Sequence, residues 1–399
     1  MLGKRLDVTD GLPRAMIAGI VALALALMLS APPAPGATAE RFDAAKPQVS
    51  EKRLQRSLDR LVEFRGGPPG VSVLLRRGKR DTFLTAGVAD ARNGARFTPS
   101  KYMRIASTSK AFSGAVALGL VDRGVLSLDD TIGARLPNLP AAWGAVTLRQ
   151  LLQHTSGVPS FTTLEFFQYF AQHPHGPFSH QMLIEFVADQ PLGFPPGSAF
   201  SYSNTDNVVI ALMAEAATSK PYEQLLSELV LDPLDLERTA LPGGFDLPKP
   251  RINGYETHPL EDVTECCAMS ALWTSGGMYS TPHELTRFIR AYAGGRLFGD
   301  AVRSQLFQFV TGGSEPPGPG QNSAGLALFR YDTKCGTVFG HTGNFDGYTQ
   351  FTATTRSTRK SVTVSANRQL APSAPGKYAP EAFEKLRRNY ARAVCALLG

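Results

Sequence analysis

Cysteine is scarce in this 399-residue chain: Cys266, Cys267, Cys335 and Cys395 are the four present, and no C-x-x-C pair occurs among them. That spacing gives no footing for a zinc site. Adjacent cysteines seldom close on each other without strain, so Cys266 and Cys267 are read as unpaired. Histidine is also sparse. Of seven, only His173, His175 and His180 cluster, in the Pro- and Gly-containing stretch "HPHGPFSH", which reads as a surface loop rather than a metal site. The basic residues are scattered and do not interleave with aromatics into a patch, which argues against a nucleic-acid partner. Beyond residue 29 no apolar run approaches the ~20 residues that a membrane span needs. There is no internal repeat.

What is present describes a globular protein. The chain is 43% hydrophobic and 19% charged, enough to bury a full core as one large domain or two intimate ones. Lys4, Arg5 and Arg14 precede an apolar run from Met16 to Leu29, then the small-residue stretch "SAPPAPGATAE". Ala37 and Ala39 fit an A-x-A cleavage rule, so residues 1–39 read as an export signal. No cysteine lies near that cut, which argues against a lipid anchor, and no membrane insertion is expected after its removal. The expected location is secreted or periplasmic, in the cell envelope. The first 39 residues carry three basic and two acidic residues, so cleavage takes the net charge from +7 to +6. A charge of that size serves solubility and keeps the protein near anionic envelope polymers.

The pattern along the chain predicts an α/β (α+β) protein: an antiparallel sheet flanked by helices, with a mostly helical region inserted. "GVSVLLRRG" and "DTFLTAGVAD" read as strands joined at Gly78, Lys79 and Arg80. After residue 320, "GLALFRYD", "GTVFGHTG", "YTQFTATT" and "KSVTVSAN" form a strand series. In the last of these Val362 and Val364 alternate with Ser361, Thr363 and Ser365, the pattern of a half-buried sheet. A final helix is expected from Pro380 to Leu398. Residues 40–124 and 321–399 would then form one discontinuous α/β domain around a mostly helical region, 125–320. In that region Thr281, Pro282 and Glu284 make a capping box with proline at the first helical position, and Gly294 with Gly295 stops the helix. The Pro/Gly-rich "GGSEPPGPGQN" reads as a flexible loop.

One stretch raises a chemical question. "MRIASTSKAFSGAVALGLVDRG" is apolar on nearly every side of a helix, yet places Ser107 and Lys110 one turn apart on the same face near its start. Burial should lower the amine's pKa. A hydroxyl is a weak nucleophile until a neighbouring base takes its proton, and a neutral amine can be that base. The motif alone proves little: Ser357 to Lys360 also reads S-x-x-K, but between two strand-like runs, where it is a solvated hairpin turn. Two further groups lie far along the chain. Tyr202, Ser203 and Asn204 stand on a turn before a helix, where a phenol near an ammonium would lose its proton more easily and Asn204 offers donor and acceptor to a peptide amide. His341, Thr342 and Gly343 stand on a strand, where glycine would let a ligand approach the backbone closely.

S-T-S-K, Y-S-N and H-T-G, in that order and at these separations, resemble the serine β-lactamase and penicillin-binding fold family, as do "LLQHTSGVPS", "FPPGSAFSYSNTDNVV" and "TSGGMYSTPHELTRF". The likeness covers nearly all of residues 50–398. H-T-G in place of K-T-G is similar to secreted D-alanyl-D-alanine carboxypeptidases. The resemblance implies an acyl-enzyme on Ser107, with Lys110 and Tyr202 sharing the base and proton-shuttle work, and His341 and Thr342 lining the site. It further implies Asn204 on the acyl-side amide, Gly343 in the substrate-binding strand, and backbone N–H groups of Ser107 and Asn344 holding the oxyanion. It implies a Cys335–Cys395 bridge, no metal or organic cofactor, and a small peptide or β-lactam substrate, with peptidoglycan as the larger partner. One departure stands out. The arginine that grips a substrate carboxylate in those peptidases falls at Phe329 by ungapped alignment, with Arg330 beside it. Adjacent strand residues point to opposite faces, so without a bulge the grip is missing. A β-lactamase, an esterase or a D-aminopeptidase then becomes more credible. A non-catalytic penicillin-binding sensor is the alternative of another class.

Overall fold

The computed structural model describes residues 49–256, 260–374 and 376–399; the leader expected over residues 1–39 lies outside them. Its main sheet has the strands β1 Gly70–Arg77, β2 Arg80–Gly87, β3 Val310–Thr311, β4 Gln321–Ala324, β5 Phe329–Thr333, β6 Gly336–Phe345, β7 Tyr348–Thr354 and β8 Lys360–Ala366. The order across it is β2-β1-β8-β7-β6-β5-β4-β3, antiparallel throughout. The first hairpin turns at Gly78, whose φ of 61° suits glycine, and pairs with the last strand, Val73 opposite Val364. The sheet is thus closed from both ends of the chain. The second S-x-x-K lies in the turn between β7 and β8, with Ser357 exposed.

Helices α1 (Glu51–Val62) and α5 (Ala379–Leu398) cover one face of the sheet. Leu54, Leu58 and Leu61 with Phe383, Leu386 and Tyr390 meet Val73, Val362, Val364 and Phe351 there. The other face corrects the reading of a half-buried sheet. Ser361, Thr363 and Ser365 are buried as well. Helix α4 (Pro282–Gly294) packs over this face, and Thr363 Oγ1 lies 3.0 Å from both Thr286 Oγ1 and Thr352 Oγ1. The alternation therefore separates an apolar layer from one packed through small hydroxyls, not core from water.

Helix α4 starts as expected, with Thr281 Oγ1 accepting from Glu284 N at 3.2 Å, and ends at Gly295 with φ 72°. The capping box is only half made, however. Glu284 turns its carboxylate to Arg238 N and Thr239 Oγ1 instead, tying the helix to that segment. Helix α2 (Ser109–Asp122) is buried from Ser109 to Leu120, and helix α3 (Asn204–Thr218) packs against it. Cys335, between β5 and β6, faces Cys395 of α5 with Cα atoms 5.1 Å apart and the sulfurs in bonding contact. The sulfurs of Cys266 and Cys267 are also in bonding contact, which corrects the reading of that pair as unpaired; the chain turns there, with Cys266 N bonded to Val263 O.

Candidate active site

Ser107 occupies a single 3₁₀ turn, Ala106–Thr108, that runs directly into α2. Ala106 holds φ 48°, a left-handed conformation that costs a residue with a Cβ roughly 1–3 kcal/mol. The strained turn presses against β6. A Cβ on Gly343 would come within 2.3 Å of Ile105 O and 3.1 Å of Thr108 N. The glycine of H-T-G therefore admits the backbone of the serine turn, not a ligand, and this corrects its expected role. Strand β5 pairs with β6 only as far as Gly340, so from His341 to Phe345 that edge of β6 has no strand beside it. Ser107, Asn204 and Asn344 are partly exposed there.

Lys110 lies behind the serine, fully buried. Its Nζ is 3.2 Å from Ser107 Oγ, 2.7 Å from Asn204 Oδ1 and 2.5 Å from Ser275 O. Two of these partners can only accept, so even a neutral amine spends both N–H groups on them and turns its lone pair towards the serine hydroxyl. Burial lowers the amine to about 7, against the upward pull of Glu315 and Asp206. Asn204 is held in turn, its Nδ2 donating to Thr162 Oγ1 at 3.2 Å and to Ser160 Oγ at 3.4 Å.

Tyr202 packs beside this amine, with Lys110 Nζ 5.0 Å from its ring centroid. The expectation of an easily ionised phenol is overturned. Burial raises Tyr202 well above its usual value, and the nearby Ser107 hydroxyl offsets only part of that. The phenol thus rests protonated, and among the described residues its oxygen has no hydrogen bond of ordinary geometry. The imidazole packed on it is His154, at 4.5 Å between ring centroids, a residue that sequence reasoning missed although "LLQHTSG" contains it. His154 Nδ1 lies 2.7 Å from Asp206 Oδ2, and Ser156 Oγ donates to Asp206 Oδ1 at 2.6 Å. Burial lowers His154 to about 3 and raises Asp206 well above the carboxylate range, with the Ser156 hydroxyl drawing Asp206 part of the way back.

His341 is likewise buried and neutral, lowered to about 3 by desolvation, its Nδ1 2.5 Å from Thr342 O and its Nε2 without a hydrogen-bond partner among the described residues. The Thr342 hydroxyl, expected to meet substrate, already donates to Pro316 O at 2.6 Å. Asn344 secures its side chain on Leu370 O at 3.2 Å. Strand β5 carries no bulge: Phe329 points inward, its ring 5.0 Å from that of His341 and 6.4 Å from that of Tyr202. Arg330 is exposed and ion-paired with Asp332 at 2.9 Å. The carboxylate grip is absent from β5. Among the described residues the three clustered histidines form no metal-binding group.

Residues 53–384 match the family described as Beta-lactamase. The chain belongs to that family. This Beta-lactamase family chain is 29% identical over 212 residues to Protein flp of Staphylococcus aureus (strain MW2), covering 51% of this chain and 41% of that protein. It is 25% identical over 261 residues to D-alanyl-D-alanine-carboxypeptidase/endopeptidase AmpH of Escherichia coli (strain K12), covering 62% and 63%. It thus spans less than two thirds of the length of these curated relatives. Among solved structures, a D-stereospecific amidohydrolase from Streptomyces sp. is similar with a TM-score of 0.71 at 27% identity, over 84% of this chain and 97% of that one. The fold is that of the β-lactamase family.

Proposed function

We propose that Ser107, Lys110 and Tyr202 hydrolyse an amide or peptide bond beside a D-amino acid through an acyl-enzyme. The observation that carries the reading is the buried Lys110 amine, 3.2 Å from Ser107 Oγ and lowered to about 7. Lys110 takes the Ser107 proton as Oγ attacks the carbonyl carbon, and backbone N–H groups of Ser107 and Asn344 receive the oxyanion. On collapse the C–N bond breaks. Tyr202 gives its proton to the leaving nitrogen and recovers one from the Lys110 ammonium, so no phenolate persists in a buried site. Water then adds to the ester, its proton passing to the free amine and on to Ser107 Oγ as the acid departs.

The inward Phe329 favours substrates without a gripped carboxylate, in the manner of D-amino-acid amidases and D-aminopeptidases, and the likeness to a D-stereospecific amidohydrolase supports this. Carboxypeptidase action on wall peptides is the second reading, favoured by the likeness to AmpH. Export belongs to the same proposal, since the Cys335–Cys395 contact suits an oxidising compartment. The test is intact-mass detection of an acyl adduct on Ser107 with D-alanine 4-nitroanilide, a diacyl D-Ala-D-Ala peptide and a β-lactam, beside steady-state turnover of each. An adduct lost in Ser107→Ala is expected. Turnover undiminished in that variant would refute the reading.

A further inference from the structure

The stretch "GGSEPPGPGQN" is not the flexible loop its composition predicts. Gly312 lies against the Phe200 ring so closely that a Cβ there would come within 2.4 Å of it. Tyr331 Oη donates to Ser314 Oγ at 3.0 Å and Thr342 Oγ1 to Pro316 O at 2.6 Å. Arg387 of α5 donates to Gly318 O and Gly320 O, both at 2.9 Å. Phe200 is two residues from Tyr202, and Thr342 is the centre of H-T-G. The loop is therefore pinned to both motifs, and Glu315 stands between two of the pins.

The Glu315 side chain reaches solvent, and among the described residues it makes no hydrogen bond or ion pair. It lies close enough to Lys110 and Tyr202 to act on both electrostatically. Crowding by protein pushes its carboxyl up to about 7, with Lys110 drawing it back. An unpaired carboxyl on a loop pinned to both motifs is a place for a positive group, because such a ligand adds to the partial neutralisation that Lys110 alone gives it. The same charge repels a substrate carboxylate, and Arg330 is turned away from the site.

We propose that Glu315 sets the specificity of this cleft, accepting substrates that bear a primary ammonium and rejecting those that end in a carboxylate. This rests on the acyl-enzyme reading above. The ammonium belongs either to the α-carbon of the acyl residue or to the leaving group, and the substrates can be chosen to tell these apart. Wild type, Glu315→Gln and Glu315→Asp are compared on D-alanine 4-nitroanilide, its N-acetyl form, N-acetyl-D-alanyl-1,4-diaminobutane and N-acetyl-D-alanyl-D-alanine.

In Glu315→Gln, kcat/KM on one ammonium substrate is expected to fall about tenfold relative to the neutral one, mostly through KM. The carboxylate substrate should gain, and Glu315→Asp should keep part of the ammonium preference. Whichever ammonium substrate suffers identifies the position of the charge. Any effect on Lys110 acts on all four alike and cancels in the ratios. Equal changes across the four, or a wild-type preference for the carboxylate, would overturn the role of Glu315 while Ser107 still acylates. Absence of any adduct on Ser107 would instead bring down the acyl-enzyme reading, and this inference with it.

Discussion

A lysine with no exposure to water, three acceptors around it and a pKa lowered to about 7 can release its proton near neutral pH. The free amine is the reactive form, so kcat/KM on an uncharged substrate should rise with pH through about 7 and level off above it. Lys110→Arg keeps the charge but cannot release a proton. Its activity should drop by about 10²–10⁴-fold and lose that rising limb, while a thermal melt checks that the variant is folded. In Glu315→Gln the limb should move to lower pH, because a carboxylate that holds the amine up is gone. Ser107, Lys110 and Asn204 were legible in sequence because i, i+3 spacing and a helix start fix where such groups stand. The phenol was not. Its pKa depends on how much water the fold removes, and no spacing records that. Ser275 was invisible for another reason: it serves through its carbonyl, which every residue has.

At the scale of the element, the strand edge of β6 and the turn that carries Ser107 are held at a backbone-to-backbone approach that one hydrogen atom in place of a side chain permits. Gly343→Ala would thrust a Cβ at Ile105 O and part the two elements whose N–H groups would receive the oxyanion in the proposed reaction. Overpacking of this kind costs about 1–3 kcal/mol of stability. A displacement near 1 Å at reacting groups costs about 10²-fold in rate. The variant should therefore melt only a few degrees lower yet lose most of its kcat, with KM little changed; parallel loss of both would show Gly343 to be a packing residue alone. H-T-G was readable as a motif, but its glycine was assigned to the ligand because the partner that fills the space, Ile105, is remote in sequence. The Pro/Gly-rich loop was misread likewise. Composition reports what a segment can do alone, and its pins come from Tyr331, Thr342 and Arg387 elsewhere.

Across the whole molecule, the two chain ends close one sheet, and α5 reaches from that sheet to the cleft. It carries Arg387 on the Glu315 loop and, two turns later, Cys395 against Cys335. The strand series and last helix were legible from period-2 alternation and an amphipathic run, whereas the covering of both sheet faces was not, since Thr363 meets Thr286 only through the fold. A bridge over a sequence separation of 60 removes about 4 kcal/mol of unfolded-state freedom in the loop-closure account. Replacing Cys335 and Cys395 together by serine should thus lower the unfolding free energy by about 2–4 kcal/mol in a denaturant titration. The acyl adduct on Ser107 should still form, because neither sulfur touches the serine, the amine or the phenol. Nonreducing peptide mapping supplies the direct check: one peptide joining Cys335 to Cys395 is expected, and two free thiols there would leave α5 held by packing alone. In that case the double variant would unfold like the parent, and the anchoring of the Glu315 loop would rest on Arg387 and its neighbours rather than on a covalent tie.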